Sequence, residues 1–219
     1  MEPWTLLDTA WTPQDTELTL WMRGREFVIR ADGYDLMANS AHGSEQVMAR
    51  MARIERPGAR VLVGGLGMGY TLRAVLDELP EGARVTVAEL SEAVLRWNQE
   101  MLGPLSGSPL EDPRVDVVIG DVGDVLQSTP GEWDAILLDV DNGPQAFTMP
   151  ANERLYGVQG LNITRMALRS PGTLVVWSAF DDAEFVRRLG RAGLMVRVAR
   201  VPAHVDRGAD HFLFLGYWG

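Results

Sequence analysis

The chain has 219 residues, 20 of them basic and 30 acidic, for a formal net charge of −10. Every basic residue is arginine and cysteine is absent, which excludes lysine Schiff-base chemistry, a Walker-type phosphate loop, a cysteine nucleophile, disulfides and thiolate zinc sites. An acidic chain without a basic run predicts no nucleic-acid partner, the lack of any long apolar stretch predicts no membrane span, and three histidines without cysteine predict no metal.

The first forty residues read as β. Thr16 to Met22 alternates apolar and polar positions, Arg23-Gly24-Arg25 turns, Glu26 to Arg30 follows, and Ala31-Asp32-Gly33 turns again before a short third strand, Tyr34 to Met37. Residues 1–42 are therefore expected to form a small β-hairpin extension without a core of its own, and residues 43–219 the main domain. Met1-Glu2-Pro3-Trp4 lacks the basic-then-apolar pattern of a secretory signal, so a cytoplasmic location is expected. Ser44 is read as the cap of a helix running through Met48, Met51 and Ile54 to Pro57-Gly58.

From Ala59 the pattern alternates between strand and helix. Arg60 to Val63 is a strand, Gly64-Gly-Leu-Gly-Met-Gly69 a glycine loop, and Thr71 to Leu79 a helix. Strand Arg84 to Ala88 leads to Glu89, helix Ser91 to Leu102, and a Gly/Pro/Ser-rich loop from Gly103 to Pro113. Strand Val115 to Ile119 ends in Gly120-Asp121, and strand Asp134 to Leu138 ends in Asp139-Val-Asp-Asn-Gly-Pro144. A helix over Glu153 to Leu168, strand Gly172 to Trp177, a helix over Asp182 to Ala192, and strands Met195 to Val201 and His211 to Tyr217 complete the chain. This order implies an α/β fold, with a mostly parallel seven-stranded sheet covered on both faces and closed by an antiparallel hairpin. That outline resembles the Rossmann-like S-adenosylmethionine-dependent methyltransferase fold.

In such sheets ligands bind beyond the carboxyl ends of the strands. Gly64, Gly65, Gly67, Met68 and Gly69 form a loop whose backbone can approach a ligand closely. Glu89, followed by Leu90, ends the second strand, where a carboxylate can accept both hydroxyls of a ribose. Asp121, followed by Val122, is placed to meet an adenine amino group or to cap a helix, and the two roles are compatible. Asp139 and Asp141 face the crevice where an acceptor would meet the cofactor, suited to taking a proton or orienting a cation. Trp177 and His42 are candidates for the acceptor pocket, while His204 and His211 receive no role.

From Arg60 onward the chain resembles the spermidine synthases, the aminopropyltransferase branch of the methyltransferase fold. Val61-Leu-Val-Gly-Gly-Leu-Gly-Met-Gly-Tyr-Thr-Leu-Arg73 follows the family's Val-Leu-Ile-Ile-Gly-Gly-Gly-Asp-Gly-Gly-Thr-Leu-Arg pattern without a gap. Val85 to Glu89 is similar to its ribose-binding strand, Asp112-Pro-Arg-Val…Gly-Asp121 to its Asp-Pro-Arg-Val…Gly-Asp segment, and Asp139 to the start of its Asp-Ser-Ser-Asp signature. The resemblance implies a homodimer and S-adenosylmethionine, or its decarboxylated form, as cofactor. The chain departs from the family where Met68 replaces the glycine-loop Asp that holds the cofactor's amine, and where Asn142 replaces the second signature Asp that holds the diamine. Losing two charge-assisted hydrogen bonds, each worth roughly 1.5–3 kcal/mol, leads to the expectation of methyl transfer to a small-molecule acceptor, with poor use of putrescine. The alternatives are a divergent aminopropyltransferase, with Asp141 supplying a lost anion, and a non-catalytic nucleoside-binding protein.

Overall fold

The computed structural model describes residues 2–40, 43–140, 143–144, 154–202 and 210–219. Thr5–Trp11 (β1), Glu17–Arg23 (β2), Glu26–Ala31 (β3) and Tyr34–Ala38 (β4) form a four-stranded antiparallel meander. The extension is thus larger than the hairpin read from sequence. The added strand, β1, slips register between Leu6 and Asp8 where it pairs with β2, which breaks the period-two pattern that would reveal it. Gly33 turns β3 into β4 at φ +82°, a left-handed conformation open to glycine.

The second sheet contains Arg60–Gly64 (β5), Arg84–Glu89 (β6), Val115–Ile119 (β7), Trp133–Leu138 (β8), Leu168–Ser178 (β9), Met195–Pro202 (β10) and Asp210–Trp218 (β11). Its spatial order is β10-β11-β9-β8-β5-β6-β7. Strands β5 to β9 run parallel, β11 lies antiparallel to β9, and β10 antiparallel to β11. The helices are Gly43–Met51 (α1), Tyr70–Glu78 (α2), Glu92–Trp97 (α3), Val122–Ser128 (α4), Val158–Ala167 (α5) and Ala183–Arg191 (α6). Two stretches depart from expectation: the helix from Ser91 loosens into a π turn over Asn98–Leu102, and the Gly103 to Pro113 loop holds 3-10 turns at Gly103–Ser106 and Pro109–Glu111.

Alternation along the strands builds a core on each face of the large sheet. On one face Val61 and Val63 pack with Leu72, Met48 and Trp97, and Leu20 and Ile29 of the meander join the same cluster. On the other, Leu62, Ile136 and Leu138 pack with Tyr156, Phe185 and Phe214. The meander is also fastened by Asp8, whose Oδ2 accepts hydrogen bonds from Trp97 Nε1 (2.7 Å) and Arg96 (2.5 Å). Connections from β5 proceed towards β7 and those from β8 towards β9, so the chain reverses direction between β5 and β8 and opens a crevice there. No helix among the described residues is long and apolar enough to cross a membrane.

Candidate functional site

Two cavities open over the carboxyl ends of the parallel strands. The first is lined by Gly65, Gly67, Glu89, Leu90, Asp121 and Val122, with Leu18 and Ile29 of the meander above them. Glu89 organises it. The carboxylate is buried and accepts hydrogen bonds from the backbone N–H groups of Leu66 (2.9 Å) and Ser91 (2.8 Å). Burial pushes its pKa up, against the pull of the N–H groups of Ser91, Leu66, Gly67 and Leu90. Glu89 therefore ties the glycine loop to the start of α3 while its remaining lone pairs face the cavity. Asp121 caps α4, accepting from Gly123 N–H at 2.7 Å, and lines the same cavity, so both roles read from sequence fall on one side chain.

The glycine loop fits closely because its residues lack side chains. A Cβ on Gly65, which sits at φ +90°, would meet the Asp139 carbonyl oxygen at 2.3 Å, and one on Gly67 would meet Met37 Sδ at 3.0 Å. Gly64 packs beneath Val122 and Leu138, and Gly69 faces Ser106 and Asn98, so these two support the loop from outside the cavity linings. Asn98, in the π turn, donates from Nδ2 to the Gly67 carbonyl at 2.8 Å and props the loop from below.

The second cavity is lined by Glu45, Met68, Tyr70, Thr71, Trp177 and His211. Asp139, Gly67, Leu36 and Met37 border both cavities, so these are adjoining chambers that meet at Asp139. Asp139 is anchored by its backbone N–H to the Gly64 carbonyl (2.9 Å), and its Oδ2 accepts from the Thr71 hydroxyl (2.5 Å). Desolvation pushes its pKa up, and the Thr71 hydroxyl opposes that shift. Glu45 is pushed up to about 7 by burial and by the charge of Asp139, against the hydrogen bond it accepts from the Ser44 hydroxyl. Ser44 is not the expected cap: α1 begins at Gly43, and the Ser44 hydroxyl is buried inside its first turn. There it accepts from Trp177 Nε1 (3.1 Å) and lies 3.0 Å from His211 Nδ1, while the two rings meet edge to face, 4.6 Å apart.

The structure thus gathers Glu89, Leu90, Asp121, Val122, Gly65 and Gly67 around one chamber, Met68 and Trp177 around the other, and Asp139 between them. His42, Asp141 and Asn142 lie outside the described residues. Glu45, Thr71, Tyr70 and His211, to which sequence reading assigns no role, complete the second chamber, and β4 roofs both through Leu36 and Met37. Among the described residues no group of three His, Cys, Asp or Glu side chains is arranged to hold a metal ion.

Residues 42–175, more than half of the chain, match the family model described as the spermine/spermidine synthase domain. The chain belongs to the spermine/spermidine synthase family. Its relatives include a polyamine aminopropyltransferase of Korarchaeum cryptofilum, 32% identical over 126 residues, which is 57% of this chain and 36% of that protein. Another is polyamine aminopropyltransferase 1 of Streptomyces coelicolor, 34% identical over 125 residues, which is 56% of this chain and 22% of that protein. The matched stretch is thus between about a fifth and a third of these relatives' length. In fold the chain is similar to a spermidine synthase in complex with the transition-state analogue AdoDATO, with a TM-score of 0.76 at 18% identity over 98% of this chain and 72% of that one. It is similar also to the spermidine synthase from Thermotoga maritima, with a TM-score of 0.78 at 18% identity over 98% and 73%.

Family membership corrects the expectation of methyl transfer. That expectation counted anions lost at Met68 and Asn142, and the count was incomplete. Glu45 lines the same chamber as Asp139, so the pocket carries a carboxyl that the glycine loop and the Asp139 segment do not reveal.

Proposed function

We propose that this protein is an aminopropyltransferase that moves the aminopropyl group of decarboxylated S-adenosylmethionine onto a primary amine of a small aliphatic amine. The observation that carries this reading is the meeting of two chambers at Asp139, in a chain of the spermine/spermidine synthase family. The first chamber suits the nucleoside half of the donor: Glu89 accepts from ribose hydroxyls, Asp121 faces the adenine end, and the glycine loop admits close approach. The second, with apolar Met37, Leu66 and Met68 beside two carboxyls, suits an aliphatic chain bearing ammonium groups.

An amine acceptor is an ammonium ion at neutral pH and has no lone pair to attack with. Asp139 stands between the chambers, where a carboxylate can take that proton. Its raised pKa brings it closer to the amine's and favours the transfer. The freed nitrogen then attacks the methylene carbon next to the sulfonium, the carbon–sulfur bond breaks, and its electron pair stays on sulfur. The products are methylthioadenosine, the lengthened amine and one proton. The test is to incubate the protein with decarboxylated S-adenosylmethionine and putrescine, with S-adenosylmethionine in a parallel sample. Formation of spermidine and methylthioadenosine from the decarboxylated donor alone is expected. Methyl transfer from the parent donor, or no turnover of either, would overturn the reading.

A further inference from the structure

Positive charge is balanced almost everywhere in this acidic chain, with one exception. Among the described residues, every arginine but Arg25, Arg50, Arg53, Arg165 and Arg197 holds an acidic partner within 4.0 Å. Arg165 lies instead over the Trp218 ring, 4.6 Å from its centroid. Three of the other four, Arg50, Arg53 and Arg197, line one cavity of about 320 Å³ beside the last turn of α1, and no acidic side chain lines it with them. That volume admits a small molecule. In the adjoining hollow, which shares Arg53 and Tyr217, Glu55 and Asp134 are present, and Asp134 neutralises Arg56 at 2.7 Å. Three guanidiniums around one cavity without a counter-charge repel one another, and an anion relieves all three.

Two of the three are set in place by the backbone. Arg53, just beyond α1, has φ +52°, the left-handed region that glycine usually takes at a helix end. An arginine there is strained, and the strain is a sign that its side chain is used. Arg197 stands on the same face of β10 as Ala199 and Val201, which pack into the core that α1 shares. It therefore rises from the side of the sheet that α1 covers. The rest of the cavity wall is Val47, Met51, Leu215 and Tyr217, three aliphatic side chains and an aromatic ring. The cavity lies away from the two chambers: Tyr217 pairs with Thr173, in line with Ala135 near the start of β8, while His211 of the second chamber is at the other end of β11.

We propose that this cavity binds a small phosphate ester, with the phosphate held by Arg50, Arg53 and Arg197 and its organic body resting on Val47, Met51 and Tyr217. A guanidinium meets two phosphate oxygens at once through its planar fork, which makes arginine the suited cation for this group. The chain's net charge of −10 opposes a long polyanion and leaves a compact one. The proposal is independent of the transfer reaction, so neither stands or falls with the other.

The experiment titrates the full chain calorimetrically with phenyl phosphate, inorganic phosphate and phenol, with and without methylthioadenosine. Phenyl phosphate is expected to bind at one site about tenfold or more tighter than either fragment, and equally with and without the nucleoside. Arg53→Gln and Arg197→Gln should each weaken it by about tenfold or more, and Arg25→Gln should leave it unchanged. Arg53→Gly should lose the same affinity while raising the melting temperature by about 2–4 °C, because glycine relieves the left-handed backbone. A fall in melting temperature there would make Arg53 a structural residue and overturn its assignment. No binding of phenyl phosphate, or binding that survives both glutamine substitutions, overturns the proposal. Phenol binding as tightly as phenyl phosphate would show that charge is not read, and equally tight inorganic phosphate would mean an adventitious ion only; either overturns it.

Discussion

The two chambers are built on the same principle, a carboxylate brought out of water, and they treat that carboxylate in opposite ways. In the first chamber Glu89 is held by backbone N–H groups from Leu66 and Ser91, which cannot turn away and cannot accept. In the second chamber Glu45 and Asp139 accept hydrogen bonds from the side-chain hydroxyls of Ser44 and Thr71, and Glu45 faces the charge of Asp139. The fold itself supplies hydrogen bonds to Glu89, so the shape and polarity of its chamber are set before any ligand arrives. The second chamber instead brings two carboxyls to one cavity, where the charge of Asp139 acts on Glu45. One side of the site is therefore held by backbone donors and the other by side-chain hydroxyls.

That contrast can be broken most sharply at the junction. Asp139→Asn keeps the shape and the contact with Thr71 but removes the proton acceptor. Single-turnover transfer is expected to slow by about 10²–10⁴-fold, with methylthioadenosine affinity nearly unchanged. A variant that still transferred at near-wild-type rate would move the base elsewhere. Next comes Glu89→Ala, which leaves two buried N–H groups unpaired. Calorimetry should show nucleoside binding weakened by about tenfold or more, and denaturant unfolding a loss of about 1–3 kcal/mol for each orphaned group. Loss of affinity without loss of stability would mean that the amides do not depend on Glu89.

The second chamber should reveal itself through pH. Glu45 titrates near 7 in the folded protein against an ordinary value of 4.5, so the native state keeps this proton longer than the unfolded chain. Its contribution to stability is therefore full below about pH 4.5 and is lost as pH rises through about 7. Asp139, Tyr70 and His211 face the same cavity, and Asp139 is raised as well, which acts in the same direction. The melting temperature should fall between pH 5 and pH 8, and fall less in Glu45→Gln; an identical slope in the two proteins would remove Glu45 from the account. The smallest effect is expected at Asp121. Asp121→Asn retains a side-chain cap for α4, so stability should hold within about 0.5 kcal/mol by thermal melting. Nucleoside affinity should fall only a few-fold, and a larger fall would give Asp121 more of the binding than its partly exposed position suggests.

How legible each chamber was follows from the same difference. Glu89, Asp121, Asp139 and the glycines each stand directly after a strand, so a local rule about strand ends finds them from a single pass along the chain. Glu45 has no such marker. Its network joins Ser44 to Trp177 and His211, 133 and 167 residues away, and only the sheet order brings those strand ends over α1. Asn98 was hidden for another reason, since a π turn continues the periodicity of the helix before it and reads as more helix. Strand β1 was hidden by its bulge and by an exposed face that gives no apolar alternation. Counting charges within the recognised motifs led to the wrong reaction, because charge in a cavity is summed over every element lining it.

The shared core of meander and large sheet has a consequence for synthesis. Leu20 and Ile29 are fully buried, and their cluster includes Trp97 and Leu102. The meander emerges from the ribosome before the large sheet, and its cluster gains Leu102 only once residues beyond 100 are made, several seconds later at about 5–20 residues per second. During that interval the apolar face of β2 and β3 is only partly covered, in a meander whose outer strands have open edges. The roof of the two chambers is thus a part of the nascent chain that a chaperone would shield.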